Sequence, residues 1–278
     1  SAKISHNYNR WILQIILQWF IITLTMINTM ILISIGVLGW FVGILVNYLS
    51  DILPIKRRLG EPICVACHDT MAFTNYFFGP RRCPECWSYR PWRTWVVEIF
   101  YIAASLFFWL NPPYRLGFWP GLLLLGFFGV VFVIDMEHRL ILHPVSIFGA
   151  LMGLILGITM RGVWMTLLGG VVGYGVMYGL YWFGDVFARW LARRRGQVLT
   201  EVALGFGDVN LAGVLGLLLG FPGIVAGLLL AIMIGGVISI LYLILMVILR
   251  RYHAFMAIPY GPFMVISAIL LLYFQFPG

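Results

Sequence analysis

The stretch GIVAGLLLAIMIGGVISILYLILMVIL, residues 223–249, contains no charged side chain and ends against Arg250 and Arg251. At a rise of about 1.5 Å per residue, a helix of this length exceeds a hydrocarbon core of about 30 Å. Outward from it, comparable apolar runs lie near 30–50, 94–111, 116–134, 140–160, 163–188, 209–221 and 258–276, of which 209–221 is short. They predict an all-α polytopic membrane protein of about eight transmembrane helices. Composition agrees: 62% of the 278 residues are hydrophobic and 10% charged, where soluble domains carry roughly 25% charged residues. Mean hydropathy is +0.98.

The apolar stretch from Trp11 is too long for a cleavable signal peptide, and further apolar runs follow it. Gln14, Gln18, Thr23, Thr25, Asn28 and Thr29 interrupt residues 11–29. That segment reads as an interfacial helix or as a long extension of the first span. The expected organisation is an N-terminal extension over 1–29, a first span over 30–53, a loop domain over 54–93 and a transmembrane core over 94–278.

Charge placement sets an expected orientation. With the first loop inside, Lys56, Arg57, Arg58, Arg81, Arg82, Arg90, Arg93, Arg139, Arg189, Arg193, Arg194, Arg195, Arg250 and Arg251 collect on one side. Arg115 and Arg161 fall on the other, together with Lys3 and Arg10 of the tail. Fourteen against four is a positive-inside pattern, so the N-terminus is expected outside and the loop domain in the cytoplasm. The net charge of +8 then reports topology and contact with anionic membrane lipid, and no nucleic-acid partner is expected.

Two acids stand out against this background. Asp135, in VFVIDMEHRLILHP (131–144), ends one span, and Asp208, in ALGFGDVNLA (203–212), opens another on the same side. Carboxylates at a bilayer edge are costly unless used. Two from separate helices at one depth can meet around a water and share a proton, which is the chemistry of aspartic proteolysis. Gly205 and Gly207 flank Phe206 and are expected to give unusual backbone freedom and close substrate approach. Taken alone, Asp208 could cap its helix, and Asp135 could pair with His138 or a loop arginine. Glu137 is the weaker acid, expected to face solvent or a basic neighbour and to act only at one remove. Asp185 reads as a structural partner of Arg189.

All four cysteines lie in the loop domain, as CVAC (Cys64, Cys67) and CPEC (Cys83, Cys86). Two Cys-x-x-Cys knuckles at this spacing fit a closed, structural four-thiolate zinc site. A reducing cytoplasm disfavours disulfides, and a redox role is the alternative. His68 is expected to be a bystander.

These motifs together resemble the type IV prepilin peptidases, or leader peptidase/N-methyltransferases, a family of GxGD-type aspartic proteases. The resemblance runs from about residue 31 to the C-terminus. It is carried by Gly39, Gly43, Asn47, Leu53 and Pro54 in the first span, the four cysteines and Asn75 in the loop, and Glu98 in the second span. IDMEHRLILHP, GFGD and IPYGPF (258–263) complete it. It implies Asp135 and Asp208 as the catalytic pair and prepilins or pseudopilins as substrates. It further implies cleavage of a short basic leader at the cytoplasmic face of the bacterial inner membrane, and N-methylation with S-adenosylmethionine. The family usually has a lysine two residues after the GxGD aspartate; here the position is Asn210. His143-Pro144 stands where the family commonly reads Pro-Asp.

Glu61, Asp69, Glu85, Glu137 and Glu201 are read as the only cytoplasmic acids available to attract a basic leader. Small-xxx-small pairs (Gly149/Gly153/Gly157, Gly169/Gly173, Gly175/Gly179, Gly216/Gly220) are expected to pack helices closely. Trp92, Trp95, Trp109, Trp119, Trp164 and Trp182 near span ends read as interface anchors. The rival reading is an ion- or proton-coupled transporter with a structural zinc loop. That reading favours acids near mid-bilayer and inverted repeats.

Overall fold

A computed structural model describes residues 2–67, 69–79, 82–195, 205–249 and 259–274; side chains of 2–25, 188 and 191–195 are excluded from the description. His68, Arg81, Glu201, Arg250 and Arg251 therefore lie outside the described residues, as do the side chains of Lys3, Arg10 and Arg193 to Arg195. Among the described residues the chain is helical, with no β-strand beyond two isolated bridges in the loop domain.

The elements are α1 (Ala2–Lys56), α2 (Phe73–Phe77), α3 (Arg93–Leu110), α4 (Phe118–His138), α5 (His143–Arg161), α6 (Val163–Arg195), α7 (Phe206–Leu219), α8 (Gly223–Ile248) and α9 (Gly261–Tyr273). Helix α1 is continuous, so the N-terminal segment prolongs the first span as helix. Six segments are long and apolar enough to cross a bilayer: Met26–Lys56, Arg93–Leu110, Phe118–His138, His143–Arg161, Val163–Phe187 and Gly223–Ile248. The protein is thus a multi-pass membrane protein. The other two apolar helices are shorter. With 14 and 13 residues, α7 and α9 rise only about 20 Å, short of the full core.

What these two lack in length they recover in burial. Helix α7 is apolar all round and buries Val209, Leu211, Ala212, Val214, Leu215, Leu218 and Leu219, because it packs against α5, α6, α8 and α9. Helix α4 is likewise apolar on every side, packing on α1, α3 and α9. A helix without a polar face belongs inside a bundle, and these two form its interior. They carry Asp135 and Asp208.

Close backbone approach holds the layers. A Cβ at Gly43 would lie 2.8 Å from Glu98 Cα, so the Gly39/Gly43 face of α1 seats directly on α3. Gly169 and Gly216 meet backbone to backbone between α6 and α7. Gly175 and Gly179 differ from expectation: nothing lies within 4 Å of a Cβ at either, so this pair faces open space rather than a packed helix. The six tryptophans named as anchors are all exposed on the bundle surface.

Candidate active site

Asp135 occupies the last turn of α4. Arg139 caps that helix in a left-handed conformation (φ 51°), its amide donating to the Asp135 carbonyl at 2.9 Å. The chain thereby turns sharply and re-enters the bundle at α5, where Pro144 sits in the first turn. Asp135 is buried, and its Oδ2 has no hydrogen-bond partner. The backbone of Gly261, first residue of α9, lies directly against this carboxylate.

Asp208 stands in the first turn of α7. Gly205 is the N-cap residue, and the Asp208 amide donates to its carbonyl at 3.1 Å. Asp208 is therefore not the N-cap; as the third helical residue its carboxylate reaches back toward the Gly205 amide. The backbone of Gly205 is ordinary extended chain (φ −76°, ψ 142°), and Gly207 is helical. The expected special conformations are thus not what these glycines supply. A Cβ on Gly207 would fall 2.8 Å from Ile141 Cβ. Its absence lets the 139–142 connection close over the start of α7. Ile141 also lies 3.5 Å from a Cβ built on Gly261.

Helices α4 and α7 each pack on α5 and α9, which bridge them. At this junction the charge of Asp135 reaches Asp208, with Arg139 near the first and Tyr260 near the second. Both residues lie at helix ends, Asp135 in the last turn of α4 and Asp208 in the first turn of α7. Tyr260, Gly261 and Ile141 are the contributors that reading residues one at a time misses, although IPYGPF marks the first two. From Asn210 a lateral cleft of about 570 Å³ opens between α5, α6 and α7, polar at His143 and Ser146 and otherwise apolar.

Glu137 is held elsewhere. Arg93 Nη1 donates to Glu137 Oε2 at 2.6 Å and Arg93 Nη2 donates to Asp51, joining the ends of α1, α3 and α4. Asp51 accepts a further 2.6 Å bond from the Tyr76 hydroxyl. Burial and the Asp51 charge push the Tyr76 phenol well above its usual range, keeping it a donor. The five acids read from sequence at this end were incomplete, since Asp51, buried at the foot of the first span, belongs with them. Its apolar neighbours Leu49, Ile52 and Leu53 disguise it.

In the loop domain each Cys-x-x-Cys lies inside a tight hairpin closed by a bridge, Ile63 to Thr70 and Arg82 to Tyr89. All four cysteines are free, and their sulfurs lie within 4.8 Å of one another. Cys64–Cys86 and Cys67–Cys83 are each 3.7 Å apart. A tetrahedron with metal–sulfur bonds of about 2.3 Å has edges of about 3.8 Å, whereas a disulfide needs about 2.05 Å. The four thiols could hold a metal ion. The Ser88 hydroxyl, 3.0 Å from Cys86 Sγ, lowers that thiol to about 6, while desolvation and the neighbouring sulfurs push Cys67 the other way. Between the hairpins and α1 lies a cavity of about 230 Å³, lined in part by Asp51, Asn75, Arg82 and Arg90.

Comparison with known proteins converges on the same helices. A family model, the type IV leader peptidase family, matches residues 122–240, from α4 into α8 and across both aspartates. The prepilin leader peptidase/N-methyltransferase of Pectobacterium carotovorum subsp. carotovorum is 26% identical over 275 aligned residues, covering 85% of this chain and 90% of that protein. No solved structure matches. The match falls on the two interior helices that carry Asp135 and Asp208, and over that stretch the chain is similar to the type IV leader peptidase family.

Proposed function

We propose that this protein cleaves the short basic leader of type IV prepilins or pseudopilins at the cytoplasmic face of the inner membrane, with Asp135 and Asp208 as its catalytic dyad. The reading is supported by two carboxylates at the ends of α4 and α7, helices bridged by α5 and α9, with the Asp135 charge felt at Asp208, inside the stretch the family model matches. Two such groups do not both ionise cheaply, so they share one proton and titrate as a unit. The ionised member takes a proton from water as the water oxygen attacks the scissile carbonyl. The protonated member donates a hydrogen bond to the carbonyl oxygen. Collapse of the tetrahedral intermediate breaks the C–N bond and returns a proton to the leaving amine.

Gly207 supports the site by letting Ile141 close over it, Gly205 by standing as the N-cap beside the Asp208 carboxylate, and Glu137 acts at one remove by holding Arg93. The substrate's apolar stem fits the cleft between α5, α6 and α7, which leads from the bundle flank toward Asp208. Acids at the same end, Glu61, Asp69, Glu85 and Glu137, with Glu201 of the undescribed loop, would attract a basic leader. The four thiols hold Zn2+ as a structural ion, whose ligation supplies folding energy that a loop of this size lacks.

N-methylation with S-adenosylmethionine is part of the proposal, supported by the relative's name. The cavity beside the cysteines, about 230 Å³, falls below the roughly 300 Å³ of small-molecule pockets, so no methyl-transfer step is derived from it.

The test is cleavage of a prepilin by membranes carrying wild type, Asp135→Asn or Asp208→Asn. Each variant should lose cleavage while expressing as a folded membrane protein. Cleavage surviving either change removes that residue from the chemistry.

A further inference from the structure

At the end of the bundle remote from the aspartates, Arg115 precedes α4 and Arg161 closes α5. Apart from the N-terminal tail, they are the basic residues that run against the charge asymmetry of the connections. No aspartate or glutamate occurs in 105–120, 155–170 or 216–228, the segments at that end. Nothing in the sequence there is built to neutralise them.

The structure nonetheless brings the two together. They line one cavity of about 510 Å³ with Thr159, Met160, Met165 and Phe221. The Arg161 side chain lies across Gly220, where a Cβ would come 2.6 Å from its Cδ, and its Nη2 is 3.8 Å from a Cβ built on Gly223. Gly223 is the first residue of α8, so the guanidinium is held against the positive end of a 26-residue helix. Arg161 Nε is buried without a hydrogen-bond partner. Arg115 is close enough for the two charges to repel. Two like charges and a helix start of the same sign are unfavourable together, the more so on a partly desolvated guanidinium, and an anion in the cavity offsets both.

We propose that Arg115 and Arg161 form a binding site for the phosphate of an anionic phospholipid. A phosphodiester oxygen accepts from the terminal nitrogens of the Arg161 guanidinium while the exposed Arg115 closes over the headgroup, the fork geometry for which guanidinium is suited. Met165 and Phe221, both exposed, offer the acyl chain an apolar wall that a free phosphate ion would not use. A zwitterionic lipid is disfavoured because no carboxylate of the cavity receives its ammonium group.

The test is native mass spectrometry and thermal unfolding of the full chain in nonionic detergent, titrated with phosphatidylglycerol, phosphatidylethanolamine or inorganic phosphate. Phosphatidylglycerol should raise Tm and remain bound after washing. Arg115→Gln, at an exposed position that endangers no packing, should lower the bound count by one and weaken apparent affinity about tenfold. Arg161→Gln should do the same and Arg161→Lys partly restore binding. Unchanged lipid retention in Arg115→Gln and Arg161→Gln overturns the site. So does an equal loss in Arg58→Gln, an exposed arginine at the other end, because binding would then be diffuse charge attraction. A Tm rise reproduced by inorganic phosphate, with no further gain from lipid, overturns the lipid as ligand. Prepilin cleavage should be unchanged in Arg115→Gln, which keeps this outcome separate from that of the dyad.

Discussion

Gly261→Ala should silence the enzyme without unfolding it. A Cβ at that position would sit on Asp135 Oδ2 and 3.1 Å from its Cγ, with Ile141 Cδ1 at 3.5 Å on the other side. Carbon atoms rest at about 3.5–4.0 Å, so Cγ must retreat by roughly half an ångström and the oxygen by more. Asp135 is buried at the end of an interior helix, so a displaced carboxylate leaves the position that the proposed dyad needs. A misplacement of about 1 Å costs on the order of 10²-fold in rate, or about 2.7 kcal/mol of barrier. The backbone at Gly261 is helical and accepts alanine, a better helix former, so folding should be retained. The assay is single-turnover cleavage of a prepilin in detergent, beside thermal unfolding of the same sample. Gly36→Ala, where a Cβ meets nothing within 4 Å, is the control and should keep full activity. A Gly261→Ala protein with wild-type kcat would show that Asp135 is not held where this reasoning places it.

Three further outcomes follow from the packing. Asp51→Asn removes the buried partner of a mostly buried Arg93, leaving it only the exposed Glu137, and should destabilise by about 3 kcal/mol, whereas Glu137→Gln, at a 40% exposed carboxylate, should cost about 1 kcal/mol or less; chemical unfolding measures both, and equal costs would refute the ranking. Chelation at neutral pH should remove one zinc per chain, read by metal analysis, and open residues 54–93 to limited proteolysis while the transmembrane helices stay folded; Cys83→Ser should mimic it. Gly216→Val drives a branched side chain into the Gly169 backbone and should abolish folded expression, while Gly179→Val, facing open space, should be tolerated.

Hydropathy, charge and motif reading carried much of this molecule because each is local. A bilayer demands runs of about 20 apolar residues, a four-thiolate site demands paired knuckles, and both demands are written in consecutive residues. Local reading failed where a residue's role depends on what comes from another helix. Asp51 looks like part of a greasy span until Arg93 and Tyr76 arrive from elsewhere. Gly205 and Gly207 look like hinges until Ile141 is seen to press on the second.

The sequence by itself determined that this is a helical membrane protein, that its acids cluster toward the basic side, and that four cysteines occur as two matched pairs. Only the tertiary structure decided that α9 is short and α7 buried, that α5 and α9 bridge the helices of Asp135 and Asp208, and that Arg115 and Arg161 share a cavity whose described lining holds no carboxylate. The division has one physical cause: partition into a bilayer is summed residue by residue along the chain, whereas contact between helices depends on which small residues let which backbones approach.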